Sequence, residues 1–168
     1  LNRTNFLGLG HTIGAQTRLS NIQRRVLLSY LAPQFRDSNR FSLTNTILYD
    51  DARNVRTFNS KRLEGSLQLA QRFNLANSIQ YRFTYRRVTT DENTIKVDPA
   101  LIPLLAQPVR VGSFSSTFIQ DRRDDPTDAT RGRYTTVDFG VASKAFASST
   151  NFLRLLTRNS SYYRLGRD

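Results

Sequence analysis

Cysteine, methionine and tryptophan are absent from this 168-residue chain, and histidine occurs once, at His11. Without cysteine there can be no disulfide framework, thiolate metal site or cysteine nucleophile. A single histidine excludes multi-histidine metal sites and leaves one imidazole for acid–base work. No Ser and Asp constellation can be argued around His11, which is expected to be a solvated or interfacial side chain. Long apolar runs are missing too: none approaches the roughly 20 residues of a membrane helix. The longest, Ala100 to Ala106, is broken by Pro103. A signal-peptide pattern is lacking, although the chain begins with Leu1 rather than Met, as a fragment or processed product does. Acidic residues are scarce, 13 against 25 basic ones, for a net charge of +12 carried by 22 Arg and only 3 Lys. Such an excess predicts anionic partners without saying which.

What is present is a period of two. In "KRLEGSLQLAQRF" Leu63, Leu67, Leu69 and Phe73 alternate with Arg62, Glu64, Gln68 and Arg72. In "SIQYRFTYRR" Ile79, Tyr81, Phe83 and Tyr85 alternate with Gln80, Arg82, Thr84 and Arg86. Strict alternation marks strands with one apolar and one polar face. Weaker versions recur in "HTIGAQTRL", "RRVLLSYL" (where Leu27 spoils the pattern), "RFSLTNTILYD", "GSFSSTFIQD", "TTVDFGVAS" with Phe139, and "FLRLLTRNSSYYRL". Together these predict about eight strands, no helix, and connections punctuated by turn residues. All are compatible with antiparallel neighbours. No domain boundary interrupts residues 1–168, a length that could bury a sizeable core.

Alternation alone fits both a soluble barrel or sandwich, with the apolar face inside, and a membrane barrel, with the apolar face toward lipid. Three features favour the membrane barrel. Aromatics such as Tyr30, Phe41, Tyr49, Phe73, Tyr81, Tyr85 and Tyr163 fall near strand ends, as in interfacial girdles. The strands approach the roughly 9–11 residues that cross a bilayer at a tilt. The connections are polar, whereas the apolar strand faces lack isolated charges.

Other chemistries are weaker. In "QYRFTYRR" rings and guanidinium groups point to opposite faces, so they make no stacking platform for nucleic acid, which needs both together. Asp121, Asp124, Asp125 and Asp128 lack the spacing of an EF-hand and are better explained as a turn paired with Arg122, Arg123 and Arg131. No catalytic residue, metal ligand or cofactor is expected.

Three stretches together resemble the BamA-like family of outer-membrane assembly barrels, the bacterial surface antigen superfamily. They are "NFLGLGHTIG" from Asn5, "LLSYLAPQF" from Leu27, and "DRRDDPTDATRGRY" from Asp121. The resemblance implies an all-β, antiparallel up-and-down transmembrane barrel, here as an open curved sheet or part of a larger barrel. It also implies a bacterial outer-membrane location and a non-enzymatic role in protein assembly or insertion. Its partners would be unfolded outer-membrane proteins, the lipid bilayer and accessory assembly subunits. Arg62, Glu64, Arg72, Arg82, Arg86, Asp121 and Arg123 are expected to face the lumen. Leu67, Leu69, Tyr81, Phe83, Tyr85 and Phe139 are expected to face lipid. Asp124 to Gly132 would form a periplasmic turn, in which Pro126 stops one strand and Gly132 releases the next. The chain would start at the end of the family's second strand and run through about the tenth. The loop motif and lateral seam of the family would then lie outside it; "TRGRY", from Thr130, sits in the wrong hairpin to be that motif. A passive outer-membrane barrel, pore or two-partner-secretion translocator is the alternative, with a soluble lipocalin-like binding barrel third.

Overall fold

The computed structural model of the chain describes residues 1–6, 8–53, 59–95, 102 and 107–164. Among them are nine strands: β1 (Asn2–Phe6), β2 (His11–Leu19), β3 (Gln23–Ala32), β4 (Phe41–Ala52), β5 (Ser60–Arg72), β6 (Asn77–Thr90), β7 (Val109–Asp121), β8 (Gly132–Ala142) and β9 (Phe152–Tyr162). Each pairs antiparallel with the next, giving one sheet in the order β1 to β9. The first and last strands do not pair, so the sheet is open. Closing it around its polar face would have confined a surplus of arginines in a narrow lumen, a heavy desolvation cost.

The strand missing from the sequence expectation is β1. It is 5 residues long and leaves the extended region at Asn5, whose φ is 55°. The Asn5 side chain closes the following turn, its Oδ1 accepting the Gly10 N–H at 2.9 Å. So short a strand carries too few positions to display a period. From β2 onward the strands are 9 to 14 residues long, enough to cross a hydrocarbon layer at a tilt. Leu101, Pro103, Leu104 and Leu105 of the long connection, and Leu165, lie outside the described residues.

Register fixes the two faces. Leu67 lies opposite Phe83, and Leu69 opposite Tyr81. Phe83 in turn lies opposite Phe114, and Phe114 opposite Val141. Cross-strand apolar pairs of this sort contribute roughly 0.2–1 kcal/mol each. On the other face Glu64 lies opposite Arg86 and Gln68 opposite Arg82. Leu27, which interrupts the alternation of β3, belongs to that polar face, where it meets Leu48.

The apolar face packs against almost nothing. Among the described residues only Ala32, Leu48 and Ala142 are buried hydrophobics, whereas Ile47, Leu63, Leu67 and Phe139 are 46–50% exposed. The length of the chain allowed a sizeable core, but a single open sheet has no second layer to form one. Left uncovered in water, such a face carries a large hydrophobic penalty.

One connection does cover part of the apolar face. After β8 a short 3-10 turn, Lys144–Phe146, folds back beside the end of β7. Ser149 N–H donates to the Arg110 carbonyl at 2.8 Å, taking the ladder position that β8 vacates. The Phe146 ring meets Phe83 edge-on at 5.9 Å. Gly112 makes this approach possible: a Cβ there would collide with the Phe146 carbonyl oxygen and lie 3.0 Å from its Cβ. Gly112→Ala is expected to displace this turn at a cost of about 1–3 kcal/mol. Thermal unfolding in detergent should show the lowered midpoint, and an unchanged midpoint would show that the turn does not bear on the sheet.

Candidate functional site

The polar face gathers charge in ladders that cross several strands. Register places Arg18, Arg25, Arg62, Arg72, Arg82, Arg86, Arg154 and Arg158 on it, with the carboxylates of Asp50, Glu64, Asp121 and Asp138. Glu64 accepts from two arginines, Arg62 at 2.8 Å and Arg86 at 2.6 Å. Arg82 reaches across to Gln68 Oε1, its Nε at 2.8 Å. Asp138 accepts from Arg154 at 2.8 Å and from the Thr117 hydroxyl at 2.7 Å. Thr46 and Ser66 bond hydroxyl to hydroxyl at 2.6 Å. Most of these groups are only half buried, as suits ion pairs that keep contact with water.

Asp50 was missed in the sequence, although the alternation through Ile47 and Tyr49 already turns it to the polar side. It lies opposite Arg25 and Arg62 and accepts from Gln23 Nε2 at 2.9 Å. His11 is partnered rather than free: its Nδ1 lies 2.9 Å from the Tyr30 hydroxyl, with the two rings edge to face.

The charged corner between β7 and β8 is organised around two aspartates. Asp121 receives Arg123 through Nε at 2.8 Å and Nη2 at 2.6 Å. Arg123 also donates to the Pro126 carbonyl at 3.0 Å and lies over the Tyr134 ring, 4.8 Å from its centroid. Asp124 holds the loop from within. Its Oδ1 accepts the N–H groups of Asp125, Thr130 and Arg131 at 3.0–3.1 Å, and its Oδ2 the Thr130 hydroxyl at 2.6 Å. Arg131 therefore joins the turn through its main chain, and the ion pair runs through Arg123.

β7 ends at Asp121, and backbone bonds carry the ladder on to Asp124 N–H and the Arg131 carbonyl. Pro126 thus sits at the loop tip rather than at the last strand residue. Gly132 opens β8 with φ 110°, and a Cβ there would strike the Arg122 carbonyl oxygen, so only glycine fits. Among the described residues no group of three or more His, Asp or Glu side chains converges as metal ligands would.

The apolar face is free of charge in its middle but not at its ends. Arg24, Asp51, Lys61, Arg87 and Arg110 fall on it near one end of β3 to β7, and Arg3 of β1 and Arg133 of β8 toward the other end. The expected absence of isolated charges therefore holds only for the central band. Strand termini at a membrane boundary tolerate charges that the centre does not.

A sheet of nine consecutively paired strands, charged on one side and apolar on the other, is the geometry of a transmembrane barrel wall. The profile of the Omp85 superfamily domain matches residues 5–168. The chain belongs to the Omp85 superfamily. Its fold is similar to the crystal structure of BamA from Haemophilus ducreyi lacking POTRA domains 1–3, with a TM-score of 0.71 at 17% identity. That likeness covers 95% of this chain and 33% of BamA's. No curated protein matches it in sequence. This Omp85 chain is an antiparallel β-barrel segment of a bacterial outer-membrane protein.

Multiple hydrogen bonds to the ionised form of Asp124, led by the Thr130 hydroxyl and the Arg131 N–H, hold its carboxyl well below the usual aspartate range. The folded pKa lies below the unfolded one, so the turn keeps this stabilisation above about pH 4. It loses it progressively as pH falls from there through the depressed folded value. The carboxyl carbon of Asp124, followed by NMR in detergent, should show no titration step down to about pH 3. Asp124→Asn should lose amide protection at Thr130 and Arg131 at neutral pH. A midpoint at the ordinary aspartate value would contradict this account of the turn.

Proposed function

We propose that this chain forms part of the wider barrel of an outer-membrane protein assembly or insertion factor, acting without covalent chemistry. The observation that carries this reading is an Omp85 sheet whose apolar face, apart from the Lys144–Phe146 turn, is left uncovered by the described residues. In a barrel wall that face would meet lipid through Leu67, Leu69, Tyr81, Phe83, Tyr85 and Phe139. Arg62, Glu64, Arg72, Arg82, Arg86, Asp121 and Arg123 would line a lumen wide enough to stay wet. The turn with Pro126 and Gly132 would lie in the periplasm.

Unfolded outer-membrane strands would be received by such a barrel and paired at an edge that can open. An exposed strand edge supplies backbone donors and acceptors that the hydrocarbon layer lacks. Accessory assembly subunits would be further partners of the whole protein. The arginine surplus on the polar face favours a second reading, a translocation pore for polypeptide in transit, because a wet basic lumen would attract acidic chains.

The full-length protein carrying this segment, reconstituted in liposomes, should speed the folding of an unfolded test barrel over protein-free liposomes. Folding can be followed by the mobility difference between folded and unfolded barrel on electrophoresis. An unchanged rate would favour the pore or passive barrel over assembly.

A further inference from the structure

The cations at one end of the apolar face are not distributed as solvated surface charge. Arg24 is the first outward residue of β3 at that end, Lys61 that of β5, and Arg110 that of β7; Arg87 is the second outward residue of β6. All four are exposed. The register places Arg87 directly opposite Arg110, an arrangement of like charges that destabilises a sheet when nothing lies between them.

Two described carboxylates are near. Asp51, opposite both Arg24 and Lys61, is almost buried, and its Oδ2 is taken by Arg53 Nε and Nη2 at 3.1 and 3.0 Å. The Asp91 carboxylate accepts the Asn93 N–H. Among the described residues none of Arg24, Lys61, Arg87 and Arg110 takes part in an ion pair. On the polar face, by contrast, Arg62, Arg86 and Arg154 each find a carboxylate.

One pleat farther along the same face the side chains are apolar or aromatic. Leu63 follows Lys61, Val26 follows Arg24, and Tyr85 follows Arg87. A basic row bordering an apolar band, with tyrosine at the boundary, is matched to the depth at which lipid headgroups meet acyl chains. The row lies at the sheet end that carries the 18-residue connection of residues 91–108, and in outer-membrane barrels the longer loops are extracellular.

We propose that Arg24, Lys61, Arg87 and Arg110 form a docking row for the phosphate groups of anionic lipid headgroups, with one phosphate bridging Arg87 and Arg110. A phosphate between opposed guanidinium groups accepts bidentate hydrogen bonds from each and turns their repulsion into attraction. The inference rests on the apolar face meeting lipid.

The test uses the full-length protein, reconstituted in vesicles of phosphatidylcholine with or without phosphatidylglycerol, then re-extracted and its retained lipid measured by mass spectrometry. Wild-type protein should keep phosphatidylglycerol in preference to phosphatidylcholine. Arg87→Gln with Arg110→Gln should weaken that preference about fivefold for each charge removed. Arg24→Gln with Lys61→Gln provides a second pair should the first not fold. Arg18→Gln removes a charge from the opposite face and should leave the preference as it was.

Several results would overturn the proposal: an unchanged preference in the paired variants, an equal loss in Arg18→Gln, or full displacement of the lipid by inorganic phosphate, which would make free phosphate the ligand. Protein that inserts into neither kind of vesicle would overturn the lipid-facing assignment itself, and the docking row with it.

Discussion

Every backbone N–H and C=O placed in hydrocarbon must find a partner within the protein, because lipid offers none. The ladder from β2 to β8 meets that demand strand by strand, each pairing on both sides with its neighbours in sequence. The arrangement of side chains follows from it. Once consecutive strands pair in antiparallel register, residues two apart share a face, and a single slip would exchange the faces. Leu67 with Phe83, and Glu64 with Arg86, are two products of one register. The places where the chain leaves the ladder are those that need special residues. Gly132 admits the Arg122 carbonyl, Gly112 admits the turn at Phe146, and Asp124 supplies acceptors for three loop amides.

The two faces solve different electrostatic problems. On the polar side, arginines outnumber carboxylates, and part of the excess is held by shared acceptors: Glu64 serves Arg62 and Arg86 together, and Gln68 serves Arg82. Such half-exposed pairs contribute little to stability singly. They do tie long side chains to neighbours along the polar face. On the apolar side there is almost no charge except at the strand ends, where Asp51 is enclosed and Arg24, Lys61, Arg87 and Arg110 stand outward. Part of the net charge of +12 thus lies on the polar face and part at the strand ends of the apolar face, with further charges in the connections.

Much of this was legible in the sequence because a β-sheet writes its faces at period two. "KRLEGSLQLAQRF" and "SIQYRFTYRR" alternate through their central residues, with Lys61 and Arg87 as charged exceptions at their ends, and their pairing follows the alternation residue for residue. β1 was illegible because five residues interrupted by a left-handed Asn5 show no period. Leu27 and Leu48 look like errors in the pattern, yet they face each other on the polar side, a tertiary match that neither strand announces alone. The rim cations were overlooked for a related reason. Arg87 follows Arg86 and Arg25 follows Arg24, so in each pair one arginine suits the polar face and hides its neighbour on the other. The seating of the Lys144–Phe146 turn over Gly112 depends on a contact between distant segments, for which no local signal exists.

The central claim is that the face of Leu67 and Phe83 meets lipid while that of Gln68 and Arg82 meets water. This segment has no cysteine of its own, so spin labels can be placed singly by Leu67→Cys, Phe83→Cys, Gln68→Cys and Arg82→Cys in full-length protein cleared of any cysteine elsewhere and reconstituted in liposomes. The accessibility of each label to oxygen, which concentrates in hydrocarbon, and to a water-soluble nickel chelate reports its surroundings. Labels at positions 67 and 83 should be relaxed by oxygen and those at 68 and 82 by nickel. The reverse pattern, or nickel access at all four positions, would contradict the account.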